Sequence, residues 1–465
     1  MTGLFALAPI IPALPNLFLY GTIGVVWFFV ALSSLLRPRF WLFVIRYCVH
    51  QWRPMTVLCS VGGCSWLIIW SVGKLPSNEP DLVVADVSWP MARGGLRRFG
   101  AEEGATGPKK LSVTWQFRPG QDLIYSSPTV AEDRVYVVGN RGNRARIYCL
   151  NREDGSIIWD AAPRTYRTTV ATPVLSHNLL FCGEGVHITK DARLVCLDPR
   201  KRGAIVWTLR TQGHVECTPV VAWPYVYVGA GDDGIYCVDA TQVSNGQPKV
   251  VWHAKGIGFP DAESALIVHQ DRVYAGLGIG GNALSILNAI TGEEIKRLHF
   301  PHPLFAPPAI HRGKLFVGMG VGDMVTPVRV AAGQVCCIDL ATLEVDWRCE
   351  LPGSVLGAIV AADDGLVFGC WDGKVYRVSY QGRIVDQWDS RSPIISSVAV
   401  TESKIFGIST AGGLFAINGK DWREYSELEL NNSGLCWSAP VVHQGQLFVG
   451  TEHNGLLCLG QRDQK

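Results

Sequence analysis

Beyond residue 120 the chain alternates short apolar runs with polar turns in one recurring phrase. A small residue and Pro are followed by two apolar residues, a polar turn, a β-rich run ending in Gly, a Gly turn and another apolar run. The phrase begins at Ser127-Pro128, Thr172-Pro173, Thr218-Pro219, Pro307-Pro308 and Ala439-Pro440, and copies without Pro begin at Ala265-Leu266, Ala358-Ile359 and Ser397-Val398. These eight starts are spaced by about 39 to 51 residues, a period that marks a repeat array. Each copy reads as four short strands. In the first they are Thr129-Val130, Val135 to Val138, Ile147 to Leu150 and Ile157 to Trp159, with no helical pattern between them. Asp233-Gly234, Asp372-Gly373, Gly412-Gly413 and Asn454-Gly455 supply hairpin chemistry between second and third strands.

A four-stranded blade buries both faces only when neighbours stack on it, so the array must close into a ring. The last copy stops after its third strand, while an unassigned strand, Leu111 to Phe117, precedes the first copy and places Trp115 where Trp159, Trp207, Trp252 and Trp347 stand in theirs. The fold expected is all-β, an eight-bladed β-propeller of four-stranded antiparallel blades over 111–460, its last blade completed by the strand at 111–117. A tail, 461–465, follows.

The first 75 residues follow another pattern. No charge occurs from Thr2 to Leu36, and a second uncharged run covers Met55 to Gly73. Both are long enough to cross a hydrocarbon core, which predicts an anchor over 1–75 with transmembrane helices at about 17–36 and 55–73. The connection between them carries Arg37, Arg39, Arg46 and Arg53, whereas Glu79, Asp81 and Asp86 follow the second span. Positive charge stays on the cytoplasmic side, so the propeller is expected on the extracytoplasmic, periplasmic side. A cleaved signal peptide is disfavoured because the first 36 residues lack a basic start. Residues 76–110 form a linker.

The repeat resembles the PQQ-like β-propeller family, whose units end in Ala-x-Asp, Thr-Gly and Trp. Cys337 to Thr342 with Trp347 carries this pattern, as do Asn288-Ala289-Ile290-Thr291-Gly292 and Cys149 to Asn151 with Asp154-Gly155 and Trp159. Trp89-Pro90-Met91-Ala92-Arg93-Gly94 is similar to the opening that often precedes such propellers. The resemblance implies two kinds of function. One is a quinone-dependent oxidoreductase holding PQQ and a divalent cation such as Ca²⁺, and the other is a non-catalytic scaffold like the propeller lipoprotein of the outer-membrane β-barrel assembly machinery. The motif residues themselves have structural uses: Trp packs between blades, and Asp or Asn bonds its own turn.

Little in the sequence announces chemistry. Cys149, Cys196, Cys237, Cys337 and Cys458 recur at one third-strand position, too far apart for disulfides and suited to packing. Cys336 and Cys337 are neighbours in one strand and point to opposite faces. No Cys-x-x-Cys occurs, no His pair has a zinc spacing, and His299 and His302 flank a linker, so no metal site and no catalytic residue is assigned. Gly276 to Gly281 links two strands and opens no helix, which argues against phosphate binding. Glu184, Glu216 and Glu263 are the carboxylates expected to face the central channel. Trp371 and Trp437 are the aromatics that a sugar-binding mouth would use.

With 42 basic and 40 acidic residues there is no basic surface for nucleic acid. The long insertions that roof the channel of quinoprotein dehydrogenases are missing. The expectation is therefore a membrane-tethered, non-enzymatic module for a protein or envelope-polymer partner, without a cofactor. A PQQ-dependent oxidoreductase and a polysaccharide-binding module are the alternatives. The insertions Gly183 to Arg193 and Gly320 to Gly333 are the expected binding loops.

Overall fold

Repeats of this length fold into sheets that must lean on one another, and the computed structural model follows that rule. It describes residues 92–101, 104–321 and 332–460. The chain divides into units 1–78 and 79–465, and every described residue belongs to the second. The spans expected at 17–36 and 55–73, Trp89 to Met91, most of the Gly320 to Gly333 insertion and the tail lie outside the described residues. Among the described residues no helix is long and apolar enough to cross a membrane.

Eight four-stranded antiparallel sheets make up the propeller. Blade 1 runs through Thr129–Ala131, Arg134–Arg141, Arg144–Asn151 and Ile157–Ala161. The inner strands of blades 2 to 8 begin at Val174, Val220, Ile267, Ala309, Val360, Ala399 and Val441. Each starts two residues after the repeat start read from the sequence, because the small residue and Pro turn the chain into the channel wall. Blade 8 is closed as expected. Val113–Phe117 pairs with Gly455–Leu459, with Trp115 opposite Cys458, so the two ends of the array are fastened by backbone hydrogen bonds.

Contacts between blades explain the motif. Trp115, Trp159, Trp252 and Trp347 lie against Gly155, Gly203, Gly292 and Gly382 of the following blade. A Cβ at Gly155 would stand 2.6 Å from the Trp115 ring, and the residue has φ +73°, so both space and conformation require glycine. The turn residues act as expected: Asn288 Oδ1 accepts from the backbone N–H of Ile290 and Thr291, and Asp339 Oδ1 from Ala341 and Thr342. The recurrent cysteines are buried, and none of the eleven described cysteines from Cys149 to Cys458 is disulfide-bonded. Cys336 packs with Leu284 and Ile286 of blade 4, whereas Cys337 packs with Leu366 and Phe368 of blade 6, the opposite-face arrangement expected of adjacent strand residues.

Residues 92–101 cross the inner strands of blades 5 to 8. Backbone N–H groups of Ile310, Ala361, Val400 and Val442 donate to the carbonyls of Leu96, Arg97, Phe99 and Gly100, one from each blade in turn. Arg93 and Arg98 reach into the channel and are fully enclosed. Arg93 donates to the carbonyls of Pro440 (2.6 Å) and Val398, and Arg98 to those of Pro308 (2.9 Å) and Leu266 (2.8 Å). Burial pushes both guanidinium groups down to about 9, helped at Arg93 by the charge of Arg98, which leaves them ionised at neutral pH. The Arg-Gly of the opening segment thus forms a plug, with guanidinium forks taking up inner-strand carbonyls that no sheet neighbour can reach.

Candidate functional site

Antiparallel order puts two kinds of connection at the same end of every blade: second strand to third, and outer strand to the next inner strand. At the end away from the plug, the position two residues before each repeat start lines the channel. Six of these positions are apolar or aromatic: Tyr125, Val170, Phe305, Leu356, Ile395 and Trp437. The other two are Glu216 and Glu263, in adjacent blades. Phe305, Leu356 and Ile395 pack together with Trp371 and Trp437 into a collar, and the Tyr125 and Trp437 rings lie 5.3 Å apart. Trp371 and Trp437 are half-buried where they pack against that collar. The channel between Arg93 and the two acids holds a cavity of about 160 Å³.

Three loops gather polar groups around those acids. His187 comes from the second-to-third connection of blade 2. His214 and Glu216 come from the crossing to blade 3, and Asp261 and Glu263 from the crossing to blade 4. Ligating atoms of His187, His214, Glu216 and Glu263 all lie within 4.8 Å of one another. Glu263 Oε1 is 2.5 Å from His187 Nδ1 and 2.5 Å from His214 Nε2. His214 Nε2 is 3.8 Å from Glu216 Oε1, and His187 Nδ1 is 3.8 Å from Asp261 Oδ1. His214 is buried and the His187 side chain is 63% exposed.

Glycines place these groups. Gly231, at φ +54°, lies under the His214 ring, where a Cβ would stand 2.3 Å from Cε1. The run 276–281 opens no helix, as expected. Its purpose is to close on Asp261: the Ile279 N–H donates to Asp261 Oδ2 (2.5 Å) and the Gly278 N–H to the Asp261 carbonyl (2.9 Å).

Electrostatics split the acids. Burial and the contact with Glu263 raise Asp261 to about 7, and burial followed by the Glu263 charge pushes Glu216 well above the usual carboxylate range. Burial works to raise Glu263 too, but hydrogen bonds from His214, Asp261 and His187 outweigh it and hold that carboxyl at about 2. The hydrogen bond to Glu263 raises His187. Among the described residues no Lys or Arg forms an ion pair with Glu216, Asp261 or Glu263.

Glu184 is a correction to the expected trio. It grips Arg193 through two bonds (2.7 and 2.6 Å), accepts from the Arg167 N–H and is 1% exposed, so it ties the ends of the 183–193 loop and does not join the cluster. His299 is exposed and His302 half-buried, away from the cluster. Sequence reasoning missed His187, His214 and Asp261. A signal for two of them was present, because His214-x-Glu216 and Asp261-x-Glu263 hold equivalent positions ahead of successive repeat starts, and equivalent positions of adjacent blades meet around a channel.

Beyond the cluster the same loops expose apolar side chains. Ile188 follows His187 and is 87% exposed, Ile257 is fully exposed, and Ile279, whose N–H is bound by Asp261, is half-exposed.

Comparison with known proteins supports the fold. Residues 143–325 match the family of the outer membrane protein assembly factor BamB. The crystal structure of BamB from Moraxella catarrhalis superposes with a TM-score of 0.58 at 14% identity, covering 77% of this chain and 99% of that one. A computationally designed protein, Ika8, gives 0.60 at 15% identity, covering 75% and 99%. No protein of curated function matches the sequence.

Proposed function

We propose, from the premise that this chain is a PQQ-like β-propeller protein, that it is a membrane-tethered scaffold whose blade 2 to 4 loops hold a protein partner outside the cytoplasm. The observation that carries this reading is the set of isoleucines, Ile188, Ile257 and Ile279, standing in water on loops whose bases are fixed by Glu184 and Asp261. Large apolar side chains on a rigidly based loop face, rimmed by polar groups, suit a protein surface. Tethering rests on the uncharged runs at 17–36 and 55–73 with four arginines between them. The module is read as non-enzymatic. The channel cavity of about 160 Å³, smaller than the roughly 300–1,000 Å³ of a drug-sized ligand pocket, supports this reading.

A photo-crosslinking residue placed at 188, 257 or 205 of the full chain in intact membranes tests the reading. Ile205, 51% exposed, lies on the outer strand of blade 2 and serves as the control. Positions 188 and 257 are expected to give one discrete protein adduct that 205 does not give. Equal labelling at all three, or none, would remove the support for a docking face there.

A further inference from the structure

The mouth ring contains an anomaly that partner binding leaves unexplained. Two register-equivalent carboxylates interrupt six apolar or aromatic positions, and a third carboxylate and two imidazoles converge on them from separate loops. Glu263 Oε1 serves two ring nitrogens at once, while Glu216 and Asp261, when ionised, add negative charge that among the described residues no Lys or Arg answers. Full ionisation of both imidazoles would still leave three carboxylates against two positive charges. Buried carboxylates in excess are costly, and a divalent cation is the counter-charge that satisfies them together with neutral imidazoles.

We infer that His187 Nδ1, His214 Nε2, Glu216 and Glu263 bind one divalent transition-metal ion of the zinc class, with Asp261 beside them. Two imidazoles and two carboxylates form a mixed donor set that suits Zn²⁺ and its borderline neighbours. The hard cation Ca²⁺ takes oxygen ligands alone. Ligands about 2.0–2.2 Å from a tetrahedral ion stand roughly 3.3 Å apart. The present spacings run from 2.5 Å to no more than 4.8 Å, on both sides of that value, so side-chain adjustments on the order of an ångström complete the site. His187 is the mobile member, since its side chain is mostly in solvent, whereas His214 is fixed under Gly231. The ion would tie the 183–193 loop to the two interblade crossings. The site stands whether or not the face binds a partner, and crosslinking and metal retention report on the two separately.

The test uses the full-length protein in detergent, stripped with chelator, dialysed against Zn²⁺ and measured by elemental analysis. Co²⁺ serves as an optical probe. The expected result is one equivalent of retained Zn²⁺ and a Co²⁺ ligand-field band that Zn²⁺ abolishes and excess Ca²⁺ does not. His187→Ala, whose exposed side chain is dispensable for folding, and Glu263→Gln should each weaken retention by at least about 10–100-fold. Retention no greater than in the His187→Ala/Glu263→Gln double variant would overturn the site, and displacement by Ca²⁺ would overturn the assigned metal class.

Discussion

The two ends of the channel solve opposite problems with similar residues. At one end, charged side chains are fully enclosed and spend their donors on backbone: Arg93 and Arg98 bond the carbonyls of Pro440, Val398, Pro308 and Leu266. At the other, charged side chains face one another, and among the described residues Glu216, Asp261 and Glu263 have no basic side chain within ion-pair reach but His187 and His214. The difference separates scaffold from site. Where guanidinium groups bond the backbone carbonyls of several blades, they fasten those blades together. Where like charges are gathered without compensation, folding gains nothing from them and a ligand has something to bind.

Breaking the plug should cost most. Arg98→Ala leaves the carbonyls of Leu266 and Pro308 in an enclosed channel without their donor. We expect a loss of roughly 3–5 kcal/mol, at about 1–3 kcal/mol for each orphaned group plus lost packing, read from denaturant unfolding. An interblade contact at neither end sets the middle of the scale. In Gly292→Ala the new methyl would stand 2.6 Å from the Trp252 ring at φ +74°, and a loss of about 1–3 kcal/mol is expected in the same assay.

The smallest response should come from the cysteines. Burial pushes the thiols of Cys149, Cys237, Cys336 and Cys337 up to about 12 and that of Cys436 to about 11. A thiol whose folded pKa is raised stays protonated well above its ordinary range, so none of the eleven described cysteines should take up an alkylating reagent at pH 8 until denaturant is added. Mass spectrometry of tryptic peptides checks this. Labelling of folded protein at any of them would show a blade interface looser than its contacts imply.

The scaffold end was legible in the sequence and the site end only in part, for a physical reason. Period-two strands, small-Pro starts, Asp or Asn turns and the Trp to Gly contact are local or blade-to-blade regularities, so each blade repeats the message. Even ring closure by Val113–Phe117 could be read, because one Trp stood outside its repeat. The plug was visible as a motif, but its purpose was not, since Arg93 and Arg98 bond residues 168 to 347 positions away. Glu216 and Glu263 were picked out as channel acids, and Glu184 was placed with them because a bare carboxylate does not reveal that Arg193 will hold it. His187 was beyond reach. It sits inside the 183–193 insertion, outside the repeated phrase, so no register could align it.

The most direct measurement of the contrast compares two acids of the loops at the mouth end, Glu184 and Glu216, by thermal and denaturant unfolding of the full chain in the presence of chelator. Glu184→Ala removes the partner of a largely buried Arg193 and should cost about 3 kcal/mol. Glu216→Gln removes a carboxyl that burial and the Glu263 charge already hold well above the usual carboxylate range, and its stability should fall within about 0.5 kcal/mol of the parent or above it. A loss in Glu216→Gln as large as that in Glu184→Ala would contradict the account, because the mouth cluster would then be scaffold like the rest.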